Sequence, residues 1–86
     1  MLQGGLINIG FGNSVIADMV ICVVKSDSAP VKRLVEAAEK QNRLVDATSG
    51  RRTRSVIVTD SGHLILSHIN IGTITSKLAD HDTDDE

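Results

Sequence analysis

The chain predicts an α+β domain, a small, mostly antiparallel sheet with one main amphipathic helix and a short C-terminal helix. Three observations predict it. β-branched runs recur between glycine-bearing turns, one stretch switches to helical spacing behind a serine and a proline, and Asp60-Ser61-Gly62 joins two strand-like segments.

Leu6, Ile7 and Ile9 precede Gly10-Phe11-Gly12-Asn13, and Val15 and Ile16 follow, which predicts a strand, a glycine-rich turn and a second short strand. Met19-Val20-Ile21-Cys22-Val23-Val24 is an apolar run without alternation. It reads as a strand covered on both faces at the sheet centre, with Cys22 as a small core residue. Ser28 can then accept a bond from an orphan amide, and Pro30 is tolerated in a first helical turn. Val31, Leu34, Val35 and Ala38 recur at helical spacing, while Lys32, Arg33, Glu36, Glu39 and Lys40 hold the other positions. This predicts a helix from Ala29 to Gln41 with one wet face, ended by Asn42. Leu44 to Ala47 reads as a short strand and Thr48 to Thr53 as a loop. Arg54 to Thr59 and His63 to Ile69 read as a hairpin around Asp60-Ser61-Gly62. Ile71, Ile74 and Leu78, at spacings of three and four, predict the closing helix.

The chain has 86 residues, enough for one domain over residues 1–79 followed by an acidic disordered tail over 80–86. Phe11 is the only aromatic, so the core must be built from Val, Ile, Leu and Ala. Its stability margin is thin, and association with further copies of the chain is the expected remedy. The single cysteine excludes an internal disulfide, and no secretory signal pattern is present, so a cytoplasmic location is expected. The longest apolar stretch is far below the roughly 20 residues that cross a bilayer, so no membrane partner is expected.

The net charge of −2 conceals an asymmetry. Five of eleven acids, Asp80, Asp82, Asp84, Asp85 and Glu86, fall in the last seven residues. The rest of the chain carries all nine lysines and arginines against six acids, a surplus of three positive charges. That balance permits nucleic acid without demanding it. The acidic tail could mimic a duplex toward the arginines or simply solvate the chain end.

Enzyme patterns fail on spacing. His63 and His68 are five apart on an expected strand, which puts them on opposite faces and prevents a shared metal. Cys22 lacks the charged neighbours of a reactive thiolate. Gly10-Phe11-Gly12 lacks the third glycine and the helix of a dinucleotide fingerprint. Asp18, Asp46 and Asp60 sit near strand ends or turns, where local capping accounts for them. No catalytic residue, metal, cofactor or small-molecule substrate is expected.

Arg51, Arg52 and Arg54 are different, because three guanidiniums within four residues repel one another and relax around an anion. Their planar donor forks suit phosphate and the guanine edge, whereas the bland alternative is a solvated loop or salt bridges to a neighbouring subunit. With Phe11 as the only stacking side chain, duplex is favoured over single-stranded nucleic acid.

Four segments resemble the RemA-like family of bacterial extracellular matrix regulators, in the family's order and spacing. They are Leu6 to Asn13, Ser28 to Arg33, Leu44 to Thr48 with Gly50 to Arg54, and Asp60 to His63 with Ile65 to Ser67. The resemblance implies a non-enzymatic transcription regulator that binds double-stranded DNA, with a fold similar to the LytTR type and assembly of the homo-oligomer into a ring. It assigns DNA contacts to Arg51 and Arg52, with Arg54 beside them. The chain departs from the family's pattern at Met19, where another DNA-contacting arginine is usual, and at Ser49, usually aromatic. The alternative function is a structural homo-oligomer, or an adaptor whose arginines meet an acidic protein. A small hydrolase or metal enzyme built on Asp46, Asp60 or His63 is a third, remote reading.

Overall fold

A computed structural model describes the backbone of residues 5–83 and the side chains as far as Ala79. The elements are β1 (Leu6–Gly10), β2 (Asn13–Ile16), a single 3-10 turn (Ala17–Met19), β3 (Val20–Lys25), α1 (Ala29–Lys40), β4 (Leu44–Asp46), β5 (Ser55–Thr59), β6 (Leu64–Ser67) and α2 (Ile71–Thr83). The α+β class, both hairpins and both helices agree with the sequence expectation. The closing helix is longer than expected and passes the Ala79 boundary of the expected domain. Asp84, Asp85 and Glu86 lie outside the described residues, as does the expectation of a disordered end. Among the described residues no helix is long and apolar enough to cross a membrane.

β1 and β2 form a separate two-stranded ladder, and the main sheet has the order β3-β5-β6-β4. The β3–β5 and β5–β6 pairs are antiparallel, while β4 runs parallel to β6. Alternation along the central strands feeds two separate cores. Ile57 and Ile65 face Ile7, Ile9, Val15 and Ile74 of the β1–β2 hairpin and α2. Val56, Leu64 and Leu66 point the other way, toward Val31, Val35 and Ala38 of α1. The sheet is therefore the middle of three layers, and its central strands are the ones covered on both sides.

This overturns the expectation that Met19 to Val24 forms the sheet centre. β3 is an edge strand that pairs only with β5, and Ile21 is 64% exposed. The register slips between Val20 and Cys22, so Ile21 is the bulged residue and stands out of the ladder. Cys22 is exposed as well, not a core residue. An unbroken apolar run reads the same whether its second face is covered by its own chain or left bare, so periodicity could not place this strand.

α1 starts as the sequence requires: Ser28 Oγ accepts a bond from the Val31 amide at 3.3 Å, with Pro30 in the first turn. It ends at Lys40 because Asn42 takes a left-handed conformation, φ +59°. Asn70 opens α2 in the same manner, its Oδ1 accepting from Thr73 N at 2.9 Å.

The β1–β2 turn runs through three consecutive left-handed residues. Gly10, Phe11 and Gly12 all have positive φ, at +107°, +53° and +77°. A side chain at Gly12 would meet open space, whereas a Cβ at Gly10 would collide with the ring of His68. Gly12→Ala is therefore expected to lower stability by about 1–2 kcal/mol, from backbone strain alone. Gly10→Ala should cost visibly more, and urea denaturation of the two variants side by side measures the difference.

Candidate functional site

The arginine loop is held at both ends. Asp46 Oδ1 accepts two bonds from Thr48, from its amide at 2.9 Å and its hydroxyl at 2.6 Å. This is the local turn capping expected for that aspartate, and Thr48 is buried, with 2% exposure. Next, the Arg51 amide donates to the Thr48 carbonyl at 2.9 Å across Ser49 and Gly50, both at positive φ. Positive φ at both central positions is the pattern of a type I′ turn. At the far end Arg54 N donates to the Ser67 carbonyl at 2.8 Å, and Ser26 Oγ donates to the Thr53 carbonyl at 2.8 Å. Backbone on both flanks is thus fixed, and the side chains of Arg51, Arg52 and Arg54 all project into solvent.

The adjacent arginines take different surroundings. The guanidinium of Arg51 lies over the ring of Phe11, 5.8 Å from its centroid, a geometry worth about 0.5–1 kcal/mol at an exposed site. Phe11 in turn packs on His68, with ring centroids 4.6 Å apart. His68 Nδ1 is buried there without a hydrogen-bond partner. Phe11 is half exposed and strained by its positive φ, with Arg51 over one side of its ring and His68 against it. Arg52 instead lines a hollow of about 450 Å³ beside α1, floored by Val35, Val56 and Leu66. Among the described residues no carboxylate forms an ion pair with any of the three guanidiniums. Asp46, the nearest acid in sequence, is committed to Thr48.

The structure scatters the other polar candidates. His63 Nδ1 shares a hydrogen bond of 2.7 Å with Ser61 Oγ at the β5–β6 turn, while His68 sits beneath Phe11 at the opposite end of β6. Asp60 lies in that turn, where its amide donates to the Met19 carbonyl at 2.9 Å. Asp18 and Met19 are exposed on the 3-10 turn before β3. Sequence reasoning did not assign Phe11, His68 or Ser26 to the arginine surface. The glycines around Phe11 signalled a forced turn, but its contact with Arg51 is made across 40 positions of chain and has no local signature.

The Thr48 hydroxyl, followed by its amide, holds the Asp46 carboxyl below its ordinary pKa. Because the folded value is depressed, the stabilisation is fully present above the ordinary carboxylate range and is lost as pH falls through the folded value. Thr48→Val removes the hydroxyl donor. Carboxyl NMR titration should then show Asp46 moving up toward its ordinary value, with faster amide exchange across residues 48–53.

Known proteins resemble this chain over most of its length. A family model described as extracellular matrix regulatory protein A-like matches residues 6–78. A protein of Kosmotoga olearia, provisionally named a regulatory protein, is 52% identical over 82 residues, covering 95% of this chain and 83% of the relative. One from Syntrophobacter fumaroxidans, named likewise, is 59% identical over 73 residues, 85% of this chain and 78% of its own. A third, from Brevibacillus brevis, is 51% identical over 81 residues, covering 94% of each chain. With the match spanning both hairpins, α1, the arginine loop and the first part of α2, the chain belongs to the RemA-like family.

Proposed function

We propose that the protein is a DNA-binding transcriptional regulator that grips the duplex backbone through a repeated arginine surface, and that it is not an enzyme. The observation that carries this is the pinned loop with three exposed guanidiniums and no carboxylate partner among the described residues. Keeping like charges close together costs free energy, and a polyanion returns it. The provisional naming of the relatives as regulatory proteins supports a regulatory role.

One subunit offers few phosphate contacts, so affinity requires several. Closed association of copies supplies them, since once one subunit is seated its neighbours meet the same duplex at high effective concentration. Exposed apolar side chains support self-association: Leu6 and Ile16, directly opposite each other on the first hairpin, Ile21 on edge strand β3, and Val45 on edge strand β4. Two different open edges on one sheet suit a head-to-tail contact, which closes into a ring when the rotation per subunit allows. The ring and the LytTR-like DNA-binding fold are what family resemblance implies. Specificity then rests largely on DNA shape and bendability, read through the backbone. The protein acts in the cytoplasm, without cofactor or metal.

Gel shift and light scattering test this together. Arg51→Ala with Arg52→Ala should abolish duplex binding and leave the assembly's mass unchanged, and a double variant that still shifts DNA overturns the assignment. Wild-type affinity should fall by about 10³-fold or more between 50 and 200 mM salt, as expected for six or more phosphate contacts per complex. Ile21→Glu should release smaller species that retain the arginines but bind duplex DNA at least tenfold more weakly.

A further inference from the structure

Three cations converge on a second hollow, of about 240 Å³, at the end of β3. Its walls carry Lys25 from β3, Arg52 and Arg54 from the loop, and Asn70 at the start of α2, with Asp27 as its one carboxylate. Lys25 and Arg52 are 27 positions apart, so nothing in the sequence relates them. What brings them together is hydrogen bonding: Ser26 Oγ ties the end of β3 to the Thr53 carbonyl, and Arg54 N is tied to the Ser67 carbonyl. Cross-strand pairing of Lys25 with Ser55 fixes the third side.

We infer that this hollow is a seat for a single backbone phosphate of the bound duplex, and that Lys25 is a DNA contact equal in rank to the arginines. The inference rests on the DNA-binding reading above and adds to it a residue and a place. Three cations against one carboxylate leave a surplus of two positive charges around a concavity. A phosphate oxygen entering it meets two planar guanidinium forks and a compact ammonium. The opening turn of α2 forms one wall, so the positive end of that helix adds to the same field. Arg52 also borders the neighbouring hollow beside α1, which places it between the seat and that surface. Arg51, turned toward Phe11, serves a separate contact.

The test compares equal charge changes at two places in the full-length protein. Lys25→Gln should weaken binding to duplexes of unrelated sequence by a similar factor, at least fivefold, and lower the salt slope by about one per subunit engaged. Lys40→Gln, at the far end of α1, should change affinity less than twofold. Asp27→Asn, which removes the only carboxylate of the hollow, should tighten binding. Equal effects of Lys25→Gln and Lys40→Gln, or an unchanged affinity with Asp27→Asn, overturn the seat. Arg52→Ala separates the two levels of the argument. If it weakens binding while Lys25→Gln does not, the seat is wrong and the DNA reading stands; if neither matters the seat is wrong, and the DNA reading itself fails only if the Arg51→Ala, Arg52→Ala double variant also binds as the wild type does.

Discussion

The docking of the first hairpin and of α2 at the arginine-bearing end of the sheet depends on two buried serine hydroxyls. Ser55 and Ser67 face each other at the end of the β5–β6 ladder, and both are fully buried. Ser55 Oγ donates to the Ile69 carbonyl at 2.8 Å, and Ser67 Oγ donates to the Ile9 carbonyl at 2.9 Å while accepting from Ile69 N at 3.1 Å. One carbonyl belongs to the first hairpin and the other to the approach to α2. A buried carbonyl left without a donor costs about 1–3 kcal/mol, so these contacts decide where the hairpin and helix dock. The Ser67 carbonyl also accepts from Arg54 N, which makes the same strand end the anchor of the arginine loop.

A loop anchored in this way changes what its charges can do. Free arginines on a mobile loop would relax away from one another and lose backbone entropy on meeting phosphate. Here the backbone cost is met during folding, by the Asp46–Thr48 turn, the left-handed pair Ser49 and Gly50, and the Ser26 contact. The strained turn at Phe11 belongs to the same arrangement, since it holds an aromatic face beneath Arg51. Strain of about 1–2 kcal/mol in a domain this small is a sizeable fraction of its stability.

The other side of that balance is the core. Among the described residues the buried apolar side chains are all aliphatic and divide between two clusters, one on each face of a four-stranded sheet. Large apolar side chains stay exposed on the first hairpin and on both edge strands. A chain of this size with its apolar edges open gains from burying them against further copies, and the proposed DNA surface needs those copies for affinity. Under the proposed function, stability and DNA binding would draw on the same contacts.

Local signals made much of the fold legible. Ser28, Pro30 and the 3.6-residue spacing defined α1, and Asp60-Ser61-Gly62 defined the second hairpin, because capping, turn conformation and periodicity act over a few neighbouring residues. The arginine cluster was legible for the same reason, being contiguous. The place of β3 at the edge, the exposure of Ile21 and Cys22, the seating of Arg51 on Phe11 and the meeting of Lys25 with Arg52 were decided only by tertiary structure. Strand order and cross-chain contact depend on which distant segments share hydrogen bonds and buried area. The apolar run of β3 looks alike at a sheet's edge and at its centre, so its own residues could not choose between them.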